Sequence, residues 1–242
     1  AAVTIFLTVV PIAFFGYVDQ PSDLGQMADG GNYETEILSD RRVKSITRDE
    51  AIRTRTFWTL ASVTICSSLF GTGLIFHQSN ILGEIGYSNS EAAAMFLPAA
   101  AGSILGGLGF GWLADRPVRP WLPATSGFLI ALTTFLGGSV TSLGGVISYV
   151  LLFGVAMGGV ASMNTALLPA LFGVGHIGSI TGSLSFLSVL ASSIGGLAYS
   201  LGSNVFGDYR STSVAFSIVP LLVAGAALIN RRHFLSSESF RG

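Results

Sequence analysis

His77 is a protonatable side chain set inside a long apolar stretch, and its neighbours share its face. Gly73, His77, Asn80 and Glu84 follow one another in steps of four, three and four. On a helix those steps bring all four to one side. A polar face on an apolar helix points at a cavity or at a neighbouring helix rather than at lipid. His77 can bind a proton near neutral pH or donate to an anionic group. It can equally make a structural hydrogen bond to the next helix. Gln78 is adjacent in sequence but points elsewhere.

Further along, Ser185, Ser188, Ser192 and Tyr199 also share a helical face. Serine is common where membrane helices meet, so packing is the preferred reading of that face. A lone Asn164 in another apolar run reads as an interhelical hydrogen-bonder. Together these residues give the candidate lining of a polar cavity: Gly73, His77, Asn80, Asn164, Ser188 and Ser192.

Other chemistries lack their residues. The three His are scattered and Cys66 is the single cysteine, so no metal site is expected and no intrachain disulfide can form. The only Lys, Lys44, lies in a polar segment, so no Schiff base can form inside a bundle. No paired Asp stands within an apolar run, and no glycine-rich loop ends in Gly-Lys-Ser or Gly-Lys-Thr. The run Gly107-Leu108-Gly109-Phe110-Gly111 lies within an apolar stretch and follows no strand. No cofactor is expected, and the chain does not read as an enzyme. The net charge of −1 exerts no general pull toward nucleic acid.

The elements that must position these residues are membrane helices. Half of the 242 residues are hydrophobic and only 10% are charged, against about 25% in soluble domains. The 31 glycines would weaken soluble helices but let membrane helices approach closely. A span needs about 20 mostly apolar residues. Runs that qualify cover 57–82, 91–114, 121–142, 144–168, 178–201 and 211–230, preceded by a slightly short one at 1–18. Pro98 and Pro169 are expected to bend or end helices. Gly102/Gly106, Gly107/Gly111, Gly154/Gly158 and Gly178/Gly182 are small-residue pairs at packing spacing.

Between the first run and the other six lies a polar linker at 19–56. It holds eight of the thirteen acidic residues and six of the twelve Lys and Arg, and it ends in a short charged helix around 46–53. Its basic residues, those of the loop carrying Arg116 and Arg119, and those of the tail from residue 231 fall on one side of the spans. Of the twelve, only Arg210 falls on the other. The positive-inside rule then places linker, loop and tail in the cytoplasm. The chain opens on an apolar run without Met or a basic leader, so it reads as beginning within a longer protein.

The third run closes with Gly109-Phe110-Gly111-Trp112-Leu113-Ala114-Asp115-Arg116-Pro117-Val118-Arg119-Pro120. This resembles the loop signature of the major facilitator superfamily, glycine-x-leucine-alanine-aspartate-arginine followed by more basic residues. Gly111, Leu113, Ala114, Asp115, Arg116 and Arg119 match, while Val118 stands where the family usually has Gly and Pro120 where it often has a basic residue. The segments beginning Asp19-Gln20-Pro21 and Glu50-Ala51-Ile52-Arg53, and His176-Ile177-Gly178-Ser179, resemble bacterial monocarboxylate and oxalate–formate carriers.

The resemblance implies an all-α polytopic membrane helix bundle, helices six to twelve of a twelve-helix protein. Residues 1–18 would be the last helix of the N-terminal half, 19–56 the cytoplasmic central linker, 57–230 the C-terminal six-helix domain and 231–242 a cytoplasmic tail. It implies a multi-pass protein of the cell membrane that moves a small organic solute, a monocarboxylate by the nearer resemblance, through alternating access. Its partners would be that solute, the lipid bilayer and the N-terminal half, with protons as a further partner through His77. Asp115 and Arg116 would help latch the cytoplasmic side. The alternative is a seven-helix receptor or another integral membrane protein without transport. The signature loop and the long linker argue against it, and no filter or ring motif suggests a channel.

Overall fold

Where each helix of this chain starts and stops follows from caps, glycines and prolines. The computed structural model describes residue 11, residues 45–114 and residues 120–237. The expected first span, most of the linker, the tail beyond 237 and the loop residues Asp115, Arg116 and Arg119 lie outside the described residues. The chain divides into two units, Ala1–Val43 and Lys44–Gly242, and the helices below all belong to the second.

A short helix α1 (Arg48–Ala51) opens with a capping box, in which Thr47 and Glu50 satisfy each other's backbone N–H groups. Helix α2 (Arg55–Gly83) is capped by Thr54, whose hydroxyl accepts from the Phe57 N–H. Its 29 residues contain no proline, and it reaches about 43 Å. Helix α3 (Asn89–Ala94) begins with a second capping box, Ser88 and Glu91.

Helix α4 (Phe96–Ala114) continues α3 after a break at Met95. Pro98 explains the break, because it has no N–H to give to the Ala94 carbonyl four residues back. The same device recurs later in the chain. Helix α8 (Tyr209–Phe216) and helix α9 (Ile218–Ser237) are separated at Ser217, and Pro220 cannot donate to Phe216. Between them in sequence lie α5 (Leu122–Ser139), α6 (Leu143–Phe172) and α7 (Ile177–Phe206). Pro169 sits within α6 without ending it, and the helix stops three residues later at Phe172, followed by Gly173, whose φ is +77°. Gly207 ends α7 in the left-handed conformation. Asp208 then caps α8, and the Ser211 N–H that it accepts holds its carboxyl below the usual range.

Among the described residues six stretches are long and apolar enough to cross a membrane: α2, α3 with α4, α5, α6, α7, and α8 with the first part of α9. Among the described residues there is no strand. Helices suit a bilayer because each satisfies its own backbone polar groups where no water can. The core runs along α2 and α6, where Phe57, Leu60, Val63, Phe70 and Leu74 meet Tyr149, Phe153, Val160, Met163 and Leu167. The outer helices turn apolar side chains outward. Leu97 is 79% exposed and Ile229 80%, an arrangement that water would penalise and lipid does not.

Glycine carries the closest helix contacts. A Cβ on Gly102 or Gly106 would overlap the Leu151 or Val155 carbonyl, and one on Gly154 or Gly158 would overlap the Ala99 or Ser103 carbonyl. These two pairs therefore face each other and seat α4 on α6 backbone to backbone. Gly107 and Gly111 look toward Ser162 at ordinary contact distance. The fourth expected seam is corrected: a Cβ on Gly178 or Gly182 would meet nothing within 4 Å. Spacing alone marks a smooth face and does not supply a helix to cover it.

Candidate functional site

Helices α2, α6 and α7 border an open cavity of about 620 Å³, lined by the middle of α2, the later part of α6 and the first part of α7. Its polar lining is hydroxyl and amide only: Thr64, Ser67 and Ser68 from α2, Asn164 and Thr165 from α6, Thr181, Ser185 and Ser188 from α7. Met157, Val160, Leu168 and Leu184 supply apolar wall. Among the described residues no charged side chain lines it. Such a wall recognises through hydrogen bonds and shape rather than through net charge.

Hydrogen bonding orients the Asn164 amide. The Thr64 hydroxyl gives its proton to the Leu60 carbonyl at 2.9 Å. Its oxygen is then free to accept, and Asn164 Nδ2 donates to it at 2.9 Å. Asn164 Oδ1 is left buried and without a hydrogen-bond partner in the described structure. A buried acceptor left unsatisfied costs on the order of 1–3 kcal/mol.

Two rungs join α2 to α7 beside the cavity. The hydroxyls of Ser68 and Ser188 lie 2.6 Å apart, and those of Thr72 and Ser192 lie 2.7 Å apart, one turn further along. Beyond them the helices close tightly. A Cβ on Gly73 would overlap the Tyr199 ring, and one on Gly195 the Leu69 carbonyl.

The Gly73–Glu84 face therefore meets its neighbours α7 and α8. His77 Nε2 lies 3.0 Å from the Gly196 carbonyl, which can only accept, so Nε2 carries the proton. Nδ1 then accepts from Asn80 Nδ2 at 3.3 Å. The imidazole stacks on Tyr209, with centroids 4.6 Å apart. Glu84 accepts the backbone N–H groups of Tyr209 and Arg210 at 2.9 and 3.2 Å. That places a carboxylate at the start of α8, where the helix dipole favours it.

Of the residues singled out in the sequence, Asn164 and Ser188 line the cavity, while Ser192 forms the rung next to it. Gly73, His77 and Asn80 lie further along α2. Gly111, Leu113 and Ala114 form the last turn of α4. Sequence reasoning passed over Thr64, Ser68 and Thr72, although their spacing of four was visible as a hydroxyl stripe on α2. It also passed over Thr165 and Thr181, which reach the cavity only through the placement of α6 and α7.

Fold and cavity together define an all-α, multi-pass membrane protein whose bundle carries an open cavity with polar lining. The chain belongs to the Major Facilitator Superfamily, whose family profile matches residues 1–196. It is similar to monocarboxylate transporter 13 of Bos taurus, at 24% identity over 181 residues, 71% of this chain and 41% of that protein. The chain thus spans about two fifths of the length of the curated relative it matches. No solved structure matches it.

Proposed function

We propose that the intact protein carries a small organic solute across the membrane by alternating access, and that this unit forms one wall of the solute site. The observation that carries the reading is the cavity of about 620 Å³ with neutral polar lining inside an otherwise apolar bundle. Asn164 lines that wall, and turning its amide would bring the buried Oδ1 acceptor to a solute donor. The N-terminal half of the carrier supplies the opposite wall, and no covalent step is involved.

The similarity to a monocarboxylate transporter favours a monocarboxylate as solute. Among the described residues no cation lines this cavity, so the reading has the carboxylate charge met from elsewhere in the intact protein or neutralised by a proton. His77 is the basic group of the α2 face, which also carries the Glu84 carboxylate. Protonating Nδ1 would replace its acceptor with a donor facing the Asn80 amide within α2. The charge asymmetry of the loops favours a cell-membrane orientation with the linker and tail in the cytoplasm.

The test is uptake of labelled small carboxylates by the intact protein in proteoliposomes, with and without an imposed proton gradient. Gradient-driven accumulation of one carboxylate supports the reading. In that assay His77→Ala is expected to flatten the pH dependence of uptake; an unchanged pH profile removes His77 from the proton pathway. If no carboxylate moves under either condition, the monocarboxylate class is wrong.

A further inference from the structure

The end of α2 that bears Arg53 and Arg55 has two clefts with one wall in common. The first, about 220 Å³, lies between that end of α2 and the later part of α9. Arg53, Arg55, Thr59 and Asn230 line it, with Ala227 also in its wall. Both arginines are exposed. The second, about 470 Å³, lies between α1, the start of α2 and α7, and is lined mainly by apolar side chains, among them Phe57, Phe186 and Leu187. Arg48 also borders it, and its Nε donates to the Ser183 hydroxyl at 2.7 Å. Trp58 borders both clefts. It is 52% exposed, and its indole N–H donates to the Ile52 carbonyl at 2.8 Å, which fixes the ring between them.

Each part asks for a different piece of one ligand. Paired guanidinium groups present forked N–H donors that match phosphate oxygens. The apolar cleft has little to offer a free ion and suits a hydrocarbon chain. Tryptophan settles at the boundary between headgroups and hydrocarbon, the level where α2 passes from its charged lead-in to its apolar run. Two acids share this lead-in, Asp49 and Glu50, and the Glu50 carboxylate accepts from the Thr47 N–H and hydroxyl. Basic pockets between the ends of membrane helices hold anionic headgroups.

We propose that this corner binds one anionic phospholipid, its phosphate between Arg53 and Arg55 and one acyl chain in the apolar cleft beyond Trp58. The site is separate from the solute cavity and does not depend on the transport reading. A bound lipid bridges α1, α2, α7 and α9 at one end of the bundle, next to the α6–α7 turn where the Ile46 N–H meets the Phe172 carbonyl.

The test is lipid binding to the intact protein in detergent, read by native mass spectrometry and by thermal unfolding. Phosphatidylglycerol, phosphatidylcholine and soluble glycerol 3-phosphate are titrated separately. Phosphatidylglycerol is expected to bind and raise Tm, and the other two to do neither. Arg53→Gln with Arg55→Gln is expected to weaken phosphatidylglycerol binding by about thirtyfold, taking each arginine as one interfacial charge, while Arg53→Lys with Arg55→Lys, which keeps the charge and loses the fork, restores only part of it. Equal response to phosphatidylcholine overturns the proposal, as does undiminished binding by the Gln variant. An equal response to glycerol 3-phosphate assigns the arginines to a free phosphate and also overturns it. The lipid comparison is read on the unsubstituted protein, so it stands even if the Gln variant does not fold.

Discussion

Asn164 shows how one side chain serves two purposes in this bundle. Its amide nitrogen ties α6 to Thr64 on α2, and its oxygen remains an unmatched acceptor beside the cavity. Leucine has nearly the same volume and neither polar atom. Asn164→Leu leaves Thr64 its bond to Leu60, so stability should change by no more than about 1 kcal/mol. If the solute donates to Oδ1, losing that bond should raise the KM for uptake by about tenfold, the equivalent of about 1.4 kcal/mol. Uptake kinetics and thermal unfolding of the same preparation check the pair of expectations. An unchanged KM would remove Asn164 from the solute wall.

Between elements, the decisive feature is how near two backbones come. Helices α4 and α6 meet through Gly102, Gly106, Gly154 and Gly158, each opposite a carbonyl of its partner. No rotamer relieves a Cβ that overlaps backbone, so a larger residue must push the helices apart. Gly154→Leu is expected to cost about 3 kcal/mol or more, at the upper end for overpacking. Gly178→Ala, in open space at the start of α7, should be nearly neutral. Thermal unfolding of both variants in detergent checks the contrast, and equal losses would show that the seam is not limiting. The prolines act at this scale too. Pro98 and Pro220 each follow a break by three residues, dividing two of the six spans into a short and a long helix.

For the whole molecule, the outward apolar faces of α4, α7 and α9 mark a body made for lipid and for protein neighbours rather than water. Within the proposed alternating-access cycle, Asp115, the residue after Ala114 in the sequence, would serve as the cytoplasmic latch that the signature motif implies. Asp115→Asn keeps the shape and removes the charge. It is expected to lower the maximal rate of uptake at least tenfold with little change in KM, because closing of one side is impaired while the solute site is not. Rate and KM from proteoliposome uptake test this, and an unchanged rate would leave the loop a topological marker only.

Membrane residence, six long helices, and the glycine pairs of the α4–α6 seam are determined by local composition and spacing, since a bilayer demands about 20 apolar residues per crossing whatever the neighbours are. His77, Asn80 and Asn164 were visible for the same reason, as polar groups in apolar surroundings. What each of them faces is a property of helix placement. His77 lies against Gly196, 119 residues away, and Asn164 against Thr64, 100 residues away. Only the packing of α2 between α6 and α7 decides that the first closes a helix contact while the second opens onto a cavity. A helix period tells which residues share a face, and the tertiary structure alone tells what that face meets.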